Sequence, residues 1–188
     1  MTSTASTALT GAYSIDPVHS RIGFTARHAM VTKVHGSFSR FTGAGTFDVE
    51  DPSRSTLQLT IDGASIDTHN ADRDAHLRSN DFLDLEHYPQ ITFNSTSVQQ
   101  VEPDTYRVTG DLTIKGVTRP VTFDLVYTGS AVDPYGNQRV GWEGRTTINR
   151  KDWGVNWNAA LEAGGMLVSE KVTLEFDISA VKDAAAGA

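Results

Sequence analysis

"TYRVTGDLTIKGVTRPVTFDLVYTG", residues Thr105–Gly129, decides the fold. In its first half Tyr106, Val108, Gly110, Leu112 and Ile114 fall on one face of an extended chain. In its second half Val121, Phe123, Leu125 and Tyr127 alternate with Thr122, Asp124 and Val126. Successive side chains of a strand point to opposite faces, so this period of two predicts two strands, each apolar on one side and wet on the other. The Gly- and Pro-punctuated "KGVTRP" between them predicts a turn. One wet face per strand argues for antiparallel pairing, because parallel sheets bury both faces.

The pattern spreads outward in both directions. "RIGFTARH" sets Ile22, Phe24 and Ala26 on one face, "STLQLTID" sets Leu57, Leu59 and Ile61, and "SEKVTLEFDIS" sets Val172, Leu174, Phe176 and Ile178. Shorter candidates at Phe38–Val49, Gln90–Val98 and Gln138–Ile148 add Phe38, Phe47, Ile91, Phe93 and Trp142 to the inward set. Turn signals "DPSRS", "VEPDT" and "DPYGN" separate them at the spacing of a meander. The expectation is an all-β chain of about eight antiparallel strands, which can close as an up-and-down barrel or stack as a sandwich.

Thr68–Pro89 breaks the rule. Asn70 or Thr68 can cap a helix start, Asp72 and Asp74 fall in the first turn, and His76 and Arg78 come towards the end, the charge order a helix dipole favours. Ser79 can cap a second short turn and Pro89 stops it. One helical insertion is therefore expected at about residues 69–86.

The 188 residues carry 16 Lys and Arg against 23 Asp and Glu, a formal charge of −7, and no cysteine. Nucleic acid, whose phosphates must be neutralised by Lys and Arg, is not an expected partner. Thiol catalysis and Cys-ligated metal are excluded. No run reaches the length of a transmembrane helix. The start has neither a cationic segment nor an apolar stretch of signal-peptide length, so a cytoplasmic protein is expected. Residues 1–10 and 183–188 read as flexible tails around one domain, residues 11–182.

The candidate chemistry is thin. His69, Asp72 and His76 offer a metal or acid–base centre, but the two histidines lie about 10 Å apart along a helix axis at ~1.5 Å per residue. Zinc holds its nitrogens within about 2.1 Å, so both would have to lean hard towards Asp72. No G-x-S-x-G elbow and no dinucleotide fingerprint is present. No catalytic residue, metal site or cofactor is assigned. Inward apolar surface remains, and an eight-stranded barrel has room for its own side chains or one slender ligand. Burying a CH₂ group is worth roughly 0.8 kcal/mol, so a five-carbon isoprene unit gains roughly 3–4 kcal/mol before the cost of immobilisation. A carrier of a long hydrocarbon chain needs a greasy tunnel and almost no polar motif.

Four blocks, "YSIDPVHSRIGFTARHAMVTKVHGSFSRFTG", "DTHNADRDAHLRSNDFLDLEHYPQITF", "GDLTIKGVTRPVTFDL" and "INRKDWGVN" with "SEKVTLEFDI", stand in an order that resembles the YceI-like family of polyisoprenoid-binding proteins. The resemblance implies an elongated lipocalin-like barrel with the helical segment at "RDAHLRSNDF". It also implies a non-enzymatic role in binding, carrying or sequestering a long isoprenoid of quinone or polyprenyl type. Ile22, Phe24, Phe38, Phe47, Leu57, Leu59, Ile61, Phe82, Leu83, Ile91, Phe93, Leu112, Ile114, Phe123, Leu125, Trp142, Val172, Leu174 and Phe176 would then line the ligand. The helical segment would cap one barrel mouth, with Phe82 and Leu83 pointing into the apolar interior, Asp72, Arg73, Asp74 and Arg78 near solvent or paired with neighbouring strands, and Arg73 or His76 meeting the head group. Many relatives carry a signal peptide, and here the sequence departs from them. Two readings stand beside this one: an enzyme built on His69, Asp72 and His76, and a barrel with a solid core that binds a protein partner. An exposed seam in such a barrel offers a surface for a homodimer.

Overall fold

Each alternating segment contains a strand in the computed structural model, which describes residues 6–185. In chain order the elements are β1 (Gly11–Ile15), β2 (Arg21–His28), β3 (Thr32–Phe38), β4 (Phe41–Phe47), β5 (Thr56–Asp62), β6 (Ile66–Asp67), α1 (Ala71–Arg78), β7 (Gln90–Glu102), β8 (Thr105–Ile114), β9 (Val117–Val132), β10 (Gln138–Asn149) and β11 (Lys171–Lys182). Of these eleven strands, eight close a ring in the order β1-β4-β5-β7-β8-β9-β10-β11, and β1 pairs back onto β11. All the pairings are antiparallel, and of the two arrangements that alternation leaves open, barrel or sandwich, the barrel implied by the resemblance is found.

The hairpin that opened the reading is tighter than expected. Its turn is Lys115 and Gly116 alone, both with positive φ (50° and 74°). Two consecutive left-handed residues match the twist of the flanking strands, and glycine takes one of them without steric cost. The remainder of "KGVTRP" continues β9, where Pro120 stands opposite Asp111. β10 joins β9 only from Asp124 onward, so Pro120 sits where a missing N–H is tolerated.

One ring member differs from the expectation. The ring is completed by β1, five residues long, and β2 lies outside it. β11 pairs with β1 through Ala180–Lys182 and with β2 through Thr173–Asp177, so β1 and β2 are successive pieces of one line along β11. β4 and β3 repeat the arrangement on the next line, and β6 adds two residues to the edge of β3. β1 ("GAYSI") and β3 ("TKVHGSF") are too short and too poor in apolar residues to show a period of two. Beyond Ser37 and Phe38, which meet β6, β3 has a free outer edge, and within the ring β9 is unpaired with β10 before Asp124.

The helix covers eight residues, and the rest of the expected insertion is turns. Asn70 caps it by accepting from the Arg73 N–H, and Ser79 ends it, with its N–H and hydroxyl both on the His76 carbonyl. Ser79, Asn80 and Asp81 are residues whose side chains compete for backbone hydrogen bonds, which favours turns over a further helical turn. Among the described residues no helix is long and apolar enough to cross a membrane. Residues 1–5 and 186–188 of the expected tails lie outside the described residues. Within the described part, Thr7–Leu9 forms a 3-10 turn, Leu9 is buried and its carbonyl accepts from the Tyr13 hydroxyl at 2.7 Å.

The gap between β1 and β2 is pinned from outside the barrel. Arg139 on β10 donates to Asp16 at 2.7 Å and to Asp133 at 2.8 Å, and His19 adds a contact to Asp16 at 2.7 Å. The Arg139 guanidinium, then the His19 ring, hold the Asp16 carboxyl down at about 2, below its ordinary 3.8. A depressed carboxylate stabilises the fold fully above its ordinary value and ceases to do so as pH falls through the folded value. Wild type should therefore be more stable than Asp16→Asn at about pH 6, and the gap should close between about pH 4 and pH 2. Urea melts of the two proteins across that range check this.

Candidate functional site

Inward faces of the ring enclose a cavity of about 310 Å³. All nineteen apolar residues expected inward, from Ile22 to Phe176, stand on its wall. The interior is not filled. None of the described side chains is less than 2 % exposed, and Leu57, Leu59, Leu125, Val172, Leu174 and Phe176 face inward yet remain only partly buried. In a close-packed core such residues touch neighbours on every side. Here they face one another across empty space. Glycines help keep the wall thin: at Gly36 the Phe24 ring lies against the bare backbone of β3, and at Gly110 the Phe93 ring does the same on β8, where a Cβ would collide.

The two ends differ. At the end remote from α1, Phe47, Tyr106 and Trp142 meet edge to face with centroids 5.0–5.4 Å apart, and Tyr127 packs on Trp142 at 5.5 Å. This aromatic cluster stops the lumen. Burial pushes the Tyr13 hydroxyl up to about 12 and raises that of Tyr106, so this end presents no charge.

At the other end α1 and the turns after it form a lid with the segment that follows β10. Leu77, Phe82 and Leu83 enter the wall from the lid, and Arg150, Trp153 and Val155 enter it from the opposite side. Phe82 packs on Trp157 at 5.2 Å, His76 stands edge-on to both rings, and Trp153 donates its indole N–H to the Leu112 carbonyl at 2.9 Å. The lid is joined to β6 by Arg78, which donates to the carbonyls of Ala64 and Ile66.

Arg73 and His76, expected at a ligand head group, are not on the cavity wall. The Arg73 guanidinium turns back onto Thr68, donating to its hydroxyl and its carbonyl, both at 2.7 Å. The Thr68 hydroxyl in turn donates to Asp74 at 2.6 Å, and the Thr68 N–H adds a second bond at 2.9 Å. Asp74, expected near solvent, is buried because it is the acceptor that ties the loop before α1 to the helix. His76 meets Asp81 at 2.7 Å. The alternative centre is not assembled either. His69 leaves the helix with φ 60° and lies 3.6 Å from Asp67, and among the described residues no three His, Asp or Glu side chains are placed to hold a metal ion.

The sequence reading missed Arg150. On β10 the inward positions run Trp142, Gly144, Thr146, Ile148, and the next position in that frame is Arg150. Only 6 % exposed, it donates to the carbonyls of Ser169 (2.9 Å), Val155 (2.7 Å) and Val168 (3.4 Å), and its guanidinium carbon stands 6.0 Å from the Phe82 ring centroid.

Removing the Asp74 carboxylate strands the Thr68 N–H and hydroxyl donors and loosens the residue that holds Arg73. Asp74→Ala should cost on the order of 1–3 kcal/mol, read as a lower urea midpoint, with the barrel's far-ultraviolet spectrum retained.

The chain matches the YceI-like domain over residues 13–180. It is 40% identical over 153 residues to Protein YceI of Escherichia coli O157:H7, covering 80% of each chain. Among solved structures, Burkholderia cenocepacia BcnA superposes with a TM-score of 0.78 at 25% identity, covering 88% of this chain and 98% of that one. A polyisoprenoid binding domain from Saccharophagus degradans, implicated in plant cell wall breakdown, shares the fold with a TM-score of 0.69 at 16% identity, covering 91% and 98%.

Proposed function

The chain belongs to the YceI-like family, and from that premise and its hollow apolar lumen we propose that it binds a long isoprenoid chain lengthwise and carries or sequesters it without chemistry. The observation that carries the reading is a wall of inward Leu, Val and Phe side chains that face empty space in a closed ring. From Trp142 to Arg150 the inward face of β10 covers eight steps, ~26 Å at ~3.3 Å per residue. A flexible, unbranched train of isoprene units suits a space that is long and narrow. Each unit contributes roughly 3–4 kcal/mol gross, so a few of them offset the loss of rigid-body freedom. The solved polyisoprenoid binding domain with this fold supports the same class of ligand. Quinone and polyprenyl lipids both carry such a chain.

Organic extraction of the purified protein followed by mass spectrometry tests the reading. A stoichiometric prenyl lipid is the expected result, and an extract free of lipid after gentle purification counts against it. A blocked lumen gives the second test. Leu174→Trp should lower affinity for an added prenyl lipid at least roughly tenfold while changing stability by no more than about 1–3 kcal/mol, the range of overpacking in a core. Equal binding by variant and wild type would place the ligand elsewhere.

A further inference from the structure

Among the described residues the lumen wall holds one charged side chain, Arg150, and the isoprenoid reading leaves it without a task. Arg150 is a buried cation among hydrocarbon, and among the described residues no carboxylate hydrogen-bonds to it or pairs with it. The nearby Glu170 is taken by Lys151. A guanidinium carries five N–H donors, and three of its bonds to protein acceptors are accounted for, all to neutral backbone carbonyls. Burial disfavours the charged form of Arg150, and the charge of Glu170, itself bonded to Lys151, offsets this only in part.

One account of Arg150 is purely mechanical: its three bonds hold Val155, Val168 and Ser169 together behind the lid. That account explains the donors but not the charge. A neutral donor could tie carbonyls without the cost of burying a cation, which is several kcal/mol in an apolar site. Arg150 also forms part of the cavity wall, its guanidinium carbon 6.0 Å from the ring centroid of Phe82 on the same wall, opposite an end that is uncharged and closed by aromatic rings. We propose that Arg150 is the head-group site of the lumen and that it selects isoprenoid chains ending in an oxyanion of the phosphate-ester class. The inference rests on the isoprenoid-binding reading and names the head group that reading leaves open. Planar, forked donors suit phosphate oxygens, and a charge-assisted hydrogen bond gains strength where water is excluded. The prenyl tail would run from Arg150 towards Trp142 along the inward face of β10.

The test compares geranylgeranyl phosphate with geranylgeraniol, which share a chain and differ in the head group. The full chain, stripped of co-purified lipid, is titrated with each by calorimetry. The expected result is binding of the phosphate at least roughly tenfold tighter, equivalent to about 1.4 kcal/mol, with Arg150→Met binding the alcohol as wild type does and losing the preference. Arg150→Lys, which keeps the charge, should recover part of it. Equal affinity of wild type for the two ligands would overturn the head-group assignment alone, and this comparison needs no variant to fold. Equal weakening of both ligands by Arg150→Met would also overturn it, in favour of the mechanical role. Binding of neither ligand by wild type would overturn the isoprenoid reading itself and the assignment with it.

Discussion

The pairing of β1 with β11 governs everything else in this barrel. Three residue pairs, Tyr13 with Lys182, Ser14 with Val181 and Ile15 with Ala180, turn an open sheet into a ring. Once closed, the circumference is set by eight strands joined through backbone hydrogen bonds at ~4.8 Å spacing, and side chains can no longer draw the walls together. An open sandwich with Leu and Val on its inner faces would slide and compact until they touched. A closed ring cannot, so the choice of inward residues determines whether it is solid or hollow. This chain places glycine at Gly36, Gly110 and Gly144 and medium-sized residues at Leu57, Leu125, Val172 and Leu174, and the lumen stays open.

The same closure accounts for the lid. β11 has twelve residues, but β1 pairs with only its last three, so towards the other end its free edge is taken by β2 and the ring flares. β2, β3 and β6 follow the flare outward, and the opening they leave is too wide for strand pairing to close. α1 and the segment after β10 fill it with Phe82, Trp153 and Trp157, side chains large enough to span the space. The Arg73–Thr68–Asp74 hydrogen bonds fix the lid to the chain that delivers it. Polar residues that looked like chemistry in the sequence are therefore the fastening of a cover.

Seven of the eight ring strands, and β2 beside them, were legible in the sequence because a period of two is a local signal. Ile91 and Phe93, Val108 and Leu112, or Val172 and Leu174 reveal their shared face without knowledge of any partner strand. β1 and β3 were not legible, since their strand character comes from neighbours and not from their own composition. The helix offered a different difficulty. Arg73 stands four residues before Leu77, a spacing that shares a helix face, and Leu77 does reach the wall. Whether Arg73 does so too depends on Thr68, whose hydroxyl and carbonyl draw its guanidinium back, and no periodicity encodes that. Arg150 was within reach: it is one step beyond Ile148 in an alternation already identified, and a charged residue in an inward frame stands out there.

Arranged along the barrel, these features give the lumen a direction. Tyr13 and Tyr106 keep their protons at one end, where the aromatic cluster carries no charge. The other end holds Arg150, beneath a lid whose outer surface carries His76, Asp81 and Arg78. On the proposed reading a hydrocarbon chain with an anionic terminus would lie with its tail towards Trp142 and its head beside Arg150, because the reverse would bury the charge at an end that offers no cation. On the proposed reading, release would begin at the lid end, where the closure is made of a short helix and turns and not of ladder. Local opening is least costly where few backbone hydrogen bonds cross between elements. The ring that keeps the lumen from collapsing therefore also leaves the lid as the part of the molecule able to move without breaking it.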